Sequence, residues 1–461
     1  MRVHLGPEAL LALVGITTGS VRVDVACAAA WDTVPYFVHC GNNSGGVSEP
    51  LLALMANANF TVVQVQQGMN SNGTVCSDEN DPAKCNATGA EAKMAALGAR
   101  VRAVNPSART VFYMTVDNIR VESDLGRYFL QHPELTLTRY GTDRKTGTLQ
   151  DFQEYQYDFS NPAAVEAWAT GIAAAVKTGG HSGVFIDGYQ GWHECQPKPP
   201  SSQFGSDAGT GHLPGCPSEA SKGLRTTVGN HTVNDTALLQ GWWYETGPAL
   251  AKALPPGSIL IPNCEAGYAC QDGNGSSRIP GYTGVMEEFF GELGNLPNET
   301  DGSNGKTPDD DEGIATLAKL ATKHTFAEIN WTDERDKNEA VLALAAFLSG
   351  AGDNQYFGVI GWHWDCAEIP AETLAPLYTK PLGAPLGPAA VTVTPAAVLY
   401  TRKFAKGTSV FLNATRVGAY PPRQAPPNQC CILWGDGTNT TCAKGDPCPR
   451  YLQESGSAPQ N

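Results

Sequence analysis

Short apolar segments recur along most of the chain, and longer stretches with helical spacing separate them. The clearest is GVFID at residues 183–187, where three large apolar residues run directly into Asp187. A short apolar run bounded by glycines is typical of a strand that is buried on both faces, as in a parallel sheet. Seven further segments predict strands of the same kind, at residues 35–40, 60–66, 110–116, 258–263, 283–287, 325–331 and 356–362.

Good helix formers with helical spacing fill the intervals between these strands. One of the predicted helices has both of its ends marked: Asn161 supplies a cap and Pro162 the first helical residue, and Gly179 and Gly180 stop the helix. The predicted helices cover residues 49–57, 90–104, 162–177, 237–254, 314–323 and 339–348.

Strands that alternate with helices pair in parallel through right-handed crossovers. Eight of them close most naturally into a (β/α)8 TIM barrel, and an open doubly wound sheet is the alternative. The open sheet lacks support, because no Gly-x-Gly-x-x-Gly follows a strand and no Gly-Lys-Ser/Thr phosphate loop occurs. We therefore expect an α/β fold of the barrel type without a cofactor. We also expect no metal site, because His181, His193 and His363 lack the spacing of metal ligands.

The composition changes beyond Pro381, where the stretch PLGAPLGPAAVTVTP predicts a linker. Two predicted strands joined around Gly407 follow, and a third apolar run carries an Asp-Gly turn among clustered cysteines. We expect a barrel over residues 31–385 and a small C-terminal disulfide-stapled β appendage over residues 386–461.

The charge balance excludes several classes of partner. The 461 residues carry a formal net charge of −15, from 46 acidic and 31 basic side chains, and no run is rich in lysine or arginine. We therefore expect neither a nucleic acid nor an anionic membrane surface as a partner. After residue 30, no apolar run approaches the roughly 20 residues of a membrane helix, so no membrane span is predicted.

The first 30 residues resemble a secretory signal peptide, with a frayed N-terminal helix as the alternative. Removing residues 1–30 takes away Cys27 and leaves 12 of the 13 cysteines, an even number that permits full pairing in an oxidising compartment. We expect a protein secreted to the extracellular space, matrix or cell wall. Sequons for N-glycosylation occur at Asn42, Asn59, Asn72, Asn86, Asn230, Asn234, Asn274, Asn298, Asn330, Asn413 and Asn439.

The remaining cysteines predict a set of disulfides. Cys40 and Cys366 follow the first and eighth strands, which are neighbours only if the barrel closes, so we expect them to pair. Short separations predict three local pairs: Cys76 with Cys85, Cys195 with Cys216, and Cys264 with Cys270. The last four cysteines should pair among themselves in a connectivity that the sequence leaves open: Cys430, Cys431, Cys442 and Cys448.

Acids and aromatic residues follow the predicted strands. In a (β/α)8 barrel the catalytic groups come from the C-terminal ends of the strands. Sugars stack on indole rings and hydrogen-bond to carboxylates and amides, and glycosidic cleavage needs two carboxyl groups. Glu328 is one of the strand-end acids, and Trp242 and Trp331 are further tryptophans that could equally belong to the core. We expect substrate contacts from Asp117, Asn263, Glu288, Tyr189, Trp192, Trp362, His363 and Trp364.

Five motifs carry a resemblance to a known family: YFVHCGNNSG, YDFSNPAAVEAWATGI, GVFIDGYQGW, GVMEEFFGELG and YTRKFAKGTSVFLN. They resemble the hypothetical glycosyl hydrolase family 15, related to polygalactosaminidase-like barrels, over most of residues 35–415. The resemblance implies a catalytic Asp after strand four and a Glu after strand six, which are Asp187 and Glu287 here. Glu265 is the third candidate, and an Asp187 that only caps a loop or pairs with an arginine is the structural alternative.

The leading hypothesis is a secreted glycoside hydrolase that cleaves an extracellular or cell-wall polysaccharide. Asp187 would act as the ionised nucleophile or base, and Glu287 as the general acid. One alternative is a catalytically silent barrel that binds carbohydrate or serves as a matrix glycoprotein. A polysaccharide lyase is the third hypothesis, and it lacks the basic cluster that an acidic sugar requires.

The leader and the sequons give a first testable prediction. Protein secreted from a eukaryotic host should begin near Trp31 and should lose apparent mass on deglycosylation, because the leader is cleaved and the sequons are occupied. N-terminal sequencing and gel mobility measure the two effects. An intact Met1 on the secreted product would contradict the prediction.

Overall fold

A computed structural model describes the barrel strands, most of their helices and the core of the appendage. The described residues are 31–41, 46–64, 89–116, 118–142, 149–188, 224–225, 241–263, 281–287, 290, 314, 317, 324–331, 336–361, 366–395, 397–415, 429–442 and 448. The predicted leader at residues 1–30 lies outside them.

Eight parallel strands form one sheet, and each coincides with a predicted strand. The buried strand that ends in Asp187 is the fourth of them. Labelled β1 to β8 in chain order, they are Tyr36–Cys40, Phe60–Val63, Thr110–Thr115, Gly183–Asp187, Ile259–Pro262, Gly284–Glu287, His324–Trp331 and Gln355–Gly361.

Hydrogen bonds connect these strands in the order β5, β4, β3, β2, β1, β8, β7, β6. The two end strands also meet: Thr283 donates its backbone N–H to the Leu260 carbonyl at 2.9 Å, and Asn263 forms a parallel bridge with Met286. The sheet is therefore closed between β5 and β6, and the prediction of a (β/α)8 barrel is confirmed.

Seven α-helices are described, and two of them have the predicted bounds. The helix α4, Pro162–Gly179, begins as predicted, because the Asn161 side chain accepts the Ala163 N–H at 3.0 Å, and it is capped by Gly180, whose φ of 62° favours glycine. Of the predicted helix over residues 314–323, only residues 314 and 317 are described. The helices α1 to α7 are Glu49–Asn57, Ala90–Val104, Asp124–Gln131, Pro162–Gly179, Thr246–Ala253, Asp336–Gly350 and Ala371–Tyr378.

The connection between β3 and α4 holds structure that the sequence pattern did not predict. It contains α3 and an antiparallel pair of strands, Thr136–Thr142 and Leu149–Tyr157. A short strand from the long loop after β4, Leu224–Arg225, extends this pair. The Ile119 N–H donates to the Tyr155 carbonyl at 2.8 Å and ties the strand pair to the chain that leaves β3.

The barrel interior is aromatic towards the N-terminal ends of the strands. The rings of Phe37, Phe60, Phe326 and Tyr356 contact one another there, with centroid separations of 5.1 to 5.4 Å. Gly358 faces this cluster, and a Cβ at that position would collide with the Phe37 ring. Apolar packing therefore closes this end of the barrel.

The appendage is a five-stranded antiparallel sheet, with two strands more than the sequence predicted. One additional strand, Ala390–Val393, lies within the predicted linker, and the other is Asn439–Thr441. Arg402 connects the sheet to the barrel, because its guanidinium donates to the carbonyls of Leu348 and Ala351 at the C-terminal end of α6. Burial lowers the pKa of Arg402 to about 10. The other three strands are Ala397–Lys403, Ser409–Thr415 and Gln429–Leu433.

The Cys40–Cys366 disulfide is confirmed, with the two Cα atoms 4.9 Å apart. It ties the end of β1 to the chain that follows β8. The last four cysteines pair among themselves as expected, and the connectivity is Cys430–Cys442 and Cys431–Cys448. The other predicted disulfides lie outside the described residues: Cys76–Cys85, Cys195–Cys216 and Cys264–Cys270.

Four of the predicted glycosylation sites lie within the described part of the chain. Asn59 accepts the backbone N–H of Tyr36 at 2.9 Å, and Asn439 is exposed on its strand. Asn330 and Asn413 lie in strands, and glycosylation at all these sites stays a prediction. No described helix is long and apolar enough to cross a membrane. The other sequons lie outside the described residues: Asn42, Asn72, Asn86, Asn230, Asn234, Asn274 and Asn298.

His181 lies just before β4, at the N-terminal end of the barrel. Its Nδ1 is 2.9 Å from the Thr110 hydroxyl, and no described residue hydrogen-bonds to its Nε2. Burial, with the Arg102 charge nearby, lowers the pKa of His181 to about 4 from an ordinary value of 6.5. The folded protein therefore holds this imidazole neutral.

The depressed pKa predicts a loss of stability in acid. Between pH 6.5 and about 4 the unfolded chain binds a proton at His181 that the folded chain excludes, so stability falls as the pH is lowered through this range. The contribution is roughly 3 kcal/mol at the acid end. Denaturant unfolding of His181→Gln and wild type across this range measures it. The variant should lose less stability in acid, and parallel pH curves would contradict the prediction.

Candidate functional site

A layer of polar side chains lies inside the barrel at the C-terminal ends of the strands. Hydrogen bonds and ring contacts link its members, and all except Asp187 are between 0% and 3% exposed. We call this set the polar layer. Its described members are His39, Gln64, Tyr113, Asp187, Asn263 and Glu328.

Asp187 accepts three hydrogen bonds. The Tyr113 hydroxyl donates to Oδ2 at 2.5 Å, and the Asn263 side-chain amide and the Gly188 N–H donate to Oδ1 at 3.0 and 2.8 Å. Gly188 has a φ of 88°, a conformation that favours glycine. Three donors suit an ionised carboxylate.

The backbone around Asp187 is fixed as well. Its carbonyl accepts the Val116 N–H at 2.8 Å, and the Ile186 carbonyl accepts the Asn263 N–H at 2.7 Å. Within the described residues, Asp187 forms no ion pair with an arginine or lysine. Its partners come from the strands on either side and from the glycine that follows it, so the side chain is held at the mouth of the barrel.

A second hydrogen-bonded group crosses the barrel beside Asp187. The Glu328 Oε1 lies 2.7 Å from His39 Nδ1, and the Gln64 side-chain nitrogen lies 2.6 Å from His39 Nε2. With the Gln64 amide nitrogen as the donor, His39 Nε2 accepts and the ring proton lies on Nδ1, towards Glu328. The second oxygen of Glu328 is buried and has no hydrogen-bond partner among the described residues.

The rings of His39, Tyr113 and Phe185 connect these two groups. The His39 centroid lies 5.3 Å from that of Phe185 in an edge-to-face arrangement and 6.0 Å from that of Tyr113. Phe185 precedes Asp187 by two residues on β4, and Tyr113 bonds Asp187 directly. The imidazole therefore packs against two of the neighbours of Asp187.

Strand alternation explains why these positions meet. Successive side chains in a strand point to opposite faces, so the aromatic residue two places earlier marks the interior position. Phe37 precedes His39 in this way, Phe185 precedes Asp187, and Phe326 precedes Glu328. The aromatic packing at one end of the barrel thus sets the register of the polar residues at the other.

The same alternation bears on the acids at the end of β6. Met286 is in register with Phe326 on β7 and bridges Asn263, whereas Glu287 is in register with Ala327. Phe326 and Asn263 belong to the interior. Side chains alternate between the two faces of a strand. By this alternation, the sequence position that shares the interior face with Met286 is 288, two residues later, and not 287.

Most of the other predicted site residues lie outside the described part of the chain, and their roles stay predictions. Trp242, a possible sugar platform, is only 1% exposed and packs edge-to-face on Phe159, as a core residue does. No cluster of three or more His, Cys, Asp or Glu side chains in the described residues could hold a metal ion. The predicted site residues outside the description are Asp117, Tyr189, Trp192, Glu265, Glu288, Trp362, His363 and Trp364.

Sequence reasoning missed three members of the polar layer. His39, Gln64 and Tyr113 lie in or beside apolar strands and were not selected, and Glu328 was noted only as a strand-end acid. The sequence did contain a signal for them. A polar residue at a position of a buried strand that faces the interior costs free energy unless it is hydrogen-bonded. Asp187 and Asn263 were predicted, and the structure brings them together.

The model of the hypothetical glycosyl hydrolase family 15 matches residues 231–408 of this chain. The match covers β5 to β8 and the start of the appendage, and the resemblance read from the sequence is confirmed there. Asn263, Glu287 and Glu328 fall within the matched residues. A search of curated proteins found no match.

Several solved structures are similar to this chain. The α-amylase of Geobacillus thermoleovorans matches with a TM-score of 0.42 and 8% identity, covering 83% of this chain and 87% of that one. A GH18 chitinase of Pseudoalteromonas aurantia matches with a TM-score of 0.37 and 9% identity, covering 74% and 99%. The glycoside hydrolase domain of PelA from Pseudomonas aeruginosa matches with a TM-score of 0.34 and 16% identity, covering 70% and 93%.

The three donors around Asp187 predict that its carboxylate is charged in the folded protein. A hydrogen bond to a charged acceptor contributes about 1.5–3 kcal/mol, and one between neutral groups about 0.5–1.5 kcal/mol. Tyr113→Phe should therefore destabilise the fold more than Tyr36→Phe, a tyrosine of similar overall exposure whose hydroxyl donates to the Leu54 carbonyl at 3.0 Å. Denaturant unfolding at neutral pH measures both. Equal losses would contradict an ionised Asp187.

Proposed function

We propose that this protein is a secreted glycoside hydrolase that cleaves an O-glycosidic bond in an extracellular or cell-wall polysaccharide. The observation that carries the proposal is Asp187, held by three donors in the polar layer of a closed barrel. The family match over residues 231–408 supports the reaction class. The three described disulfides support an oxidising, extracellular compartment.

Asp187 is the group that faces the anomeric carbon. Tyr113 and Asn263 hold its two oxygens, so the carboxylate needs little reorganisation when charge develops on the sugar ring. If the reaction retains configuration, an Asp187 oxygen bonds to the anomeric carbon as the glycosidic bond breaks, and water then hydrolyses the glycosyl ester. If the reaction inverts, Asp187 takes a proton from the attacking water.

The second carboxyl group comes from the pair of acids at the end of β6. It donates its proton to the glycosidic oxygen as the leaving group departs. The sequence favours Glu287 for this role, whereas strand parity counted from Met286 favours Glu288. Its separation from Asp187 decides the outcome, with about 5 Å for retention and roughly 6.5–9.5 Å for inversion.

The proposal predicts which carboxylates a polysaccharide-cleaving activity needs. Wild-type protein should release new reducing ends from at least one member of a polysaccharide panel. Asp187→Asn removes the charge at nearly constant shape and should lower kcat by roughly 10²–10⁴-fold. Either Glu287→Gln or Glu288→Gln should have a loss of the same size, which identifies the acid. Product analysis by chromatography measures all three.

Asp436→Asn is the matched control, because it removes a carboxylate from the appendage that bonds Lys380. Its activity should equal that of wild type. Full activity in all three site variants would make these assignments wrong, and Glu265 would be the next residue to test. Carbohydrate binding without cleavage would instead indicate a silent barrel.

A further inference from the structure

The buried group formed by Gln64, His39 and Glu328 has no part in the proposed reaction. Glu328 is 0% exposed, and one of its oxygens has no partner in the described part of the chain. Burying a carboxylate in this way is costly, and an apolar residue of similar volume is often as good or better for stability. Folding stability alone therefore does not explain why a carboxylate occupies this position inside the barrel.

The position of the group suggests one. Glu328 and Gln64 contact opposite nitrogens of the same imidazole, so between them they fix both the ring plane and the tautomer of His39. The same ring packs against Phe185 and Tyr113. A change in the ring plane of His39 would therefore be transmitted to both residues.

Both residues are neighbours of Asp187. Phe185 is on the same face of β4, two residues before it, and Tyr113 donates the 2.5 Å hydrogen bond to its Oδ2. His39 itself makes no described contact with Asp187. Its influence on the carboxylate is indirect and depends on the position of the Tyr113 ring.

We propose that Glu328 and His39 are positioning residues, which hold Tyr113 in place so that its hydroxyl meets Asp187. This inference rests on the proposed function for its catalytic consequence. Glu328 accepts the Nδ1–H of His39, and Gln64 donates to Nε2, so the two contacts fix the tautomer. The oriented ring then packs against Tyr113 and Phe185. The alternative is a purely structural pair that only braces β1 against β7.

The tautomer can be tested without any substrate. Nitrogen-15 NMR of wild type with labelled histidine should show a protonated Nδ1 and an unprotonated Nε2 for His39. In Glu328→Gln, which keeps the shape and replaces the charged acceptor by a neutral amide, the hydrogen bond to Nδ1 should weaken, and the His39 nitrogen signals and the Tyr113 ring signals should shift. Unchanged His39 and Tyr113 signals in the folded variant would overturn the proposal.

Kinetics separate positioning from bracing. Partners that orient a functional histidine in metal sites typically change activity by about 10–100-fold, and we expect a fall in kcat of this size in Glu328→Gln and His39→Gln, with KM little changed. The control is His324→Gln, a histidine at the opposite end of the barrel that stacks on Tyr356. If the control and the site variants lose activity in parallel with their melting temperatures, the pair is a brace and the proposal fails.

Two outcomes separate this proposal from the proposed function. If wild-type protein cleaves nothing on the panel, the proposed function fails, and the Tyr113 signals in Glu328→Gln then decide whether the positioning contact exists. If His39→Gln does not fold, Glu328→Gln alone decides, since an isosteric amide preserves the packing. Cleavage by wild type together with full kcat in Glu328→Gln would overturn positioning while leaving the hydrolase intact.

Discussion

Closure of the barrel between β5 and β6 is the constraint on which the site depends. The backbone bond from Thr283 to Leu260 and the bridge between Asn263 and Met286 complete the ring of strands. A closed ring brings every C-terminal strand end to one face. The strands that pair with β4 on its two sides, β3 and β5, place Tyr113 and Asn263 next to Asp187. The Cys40–Cys366 disulfide holds the mouth of the barrel where β1 and β8 are neighbours.

The interior divides into an apolar end and a polar end, and the two have different energetic roles. Aromatic rings around Phe37 and Phe326 fill the N-terminal half, and their packing does not require polar groups to be buried. The polar layer gives up part of that apolar packing for two hydrogen-bonded groups, each drawn from three strands or their ends. Tyr113 and Asn263 bond Asp187 directly, whereas His39 contacts only the Tyr113 and Phe185 rings beside it.

The fold could be predicted from the sequence further than the site could. Apolar runs and local caps such as Asn161 predicted every barrel strand and the start of α4, but the strand Leu149–Tyr157 was missed because its polar residues resemble those of a loop. Asp187 stood out because it ends an apolar run. His39 did not, since its partner Glu328 lies 289 positions away and no local pattern links the two. Contacts across a barrel follow from register, which only the closed structure supplies.

The central claim is that the sugar's reacting carbon meets Asp187 at the mouth of the barrel. The most direct test is a crystal structure of Asp187→Asn with an oligosaccharide that the wild type cleaves. We expect the glycosidic bond to lie over residue 187, with the anomeric carbon about 3–3.5 Å from its side chain and Tyr113 still in contact with it. A sugar bound elsewhere, with the polar layer empty and unchanged, would contradict the account.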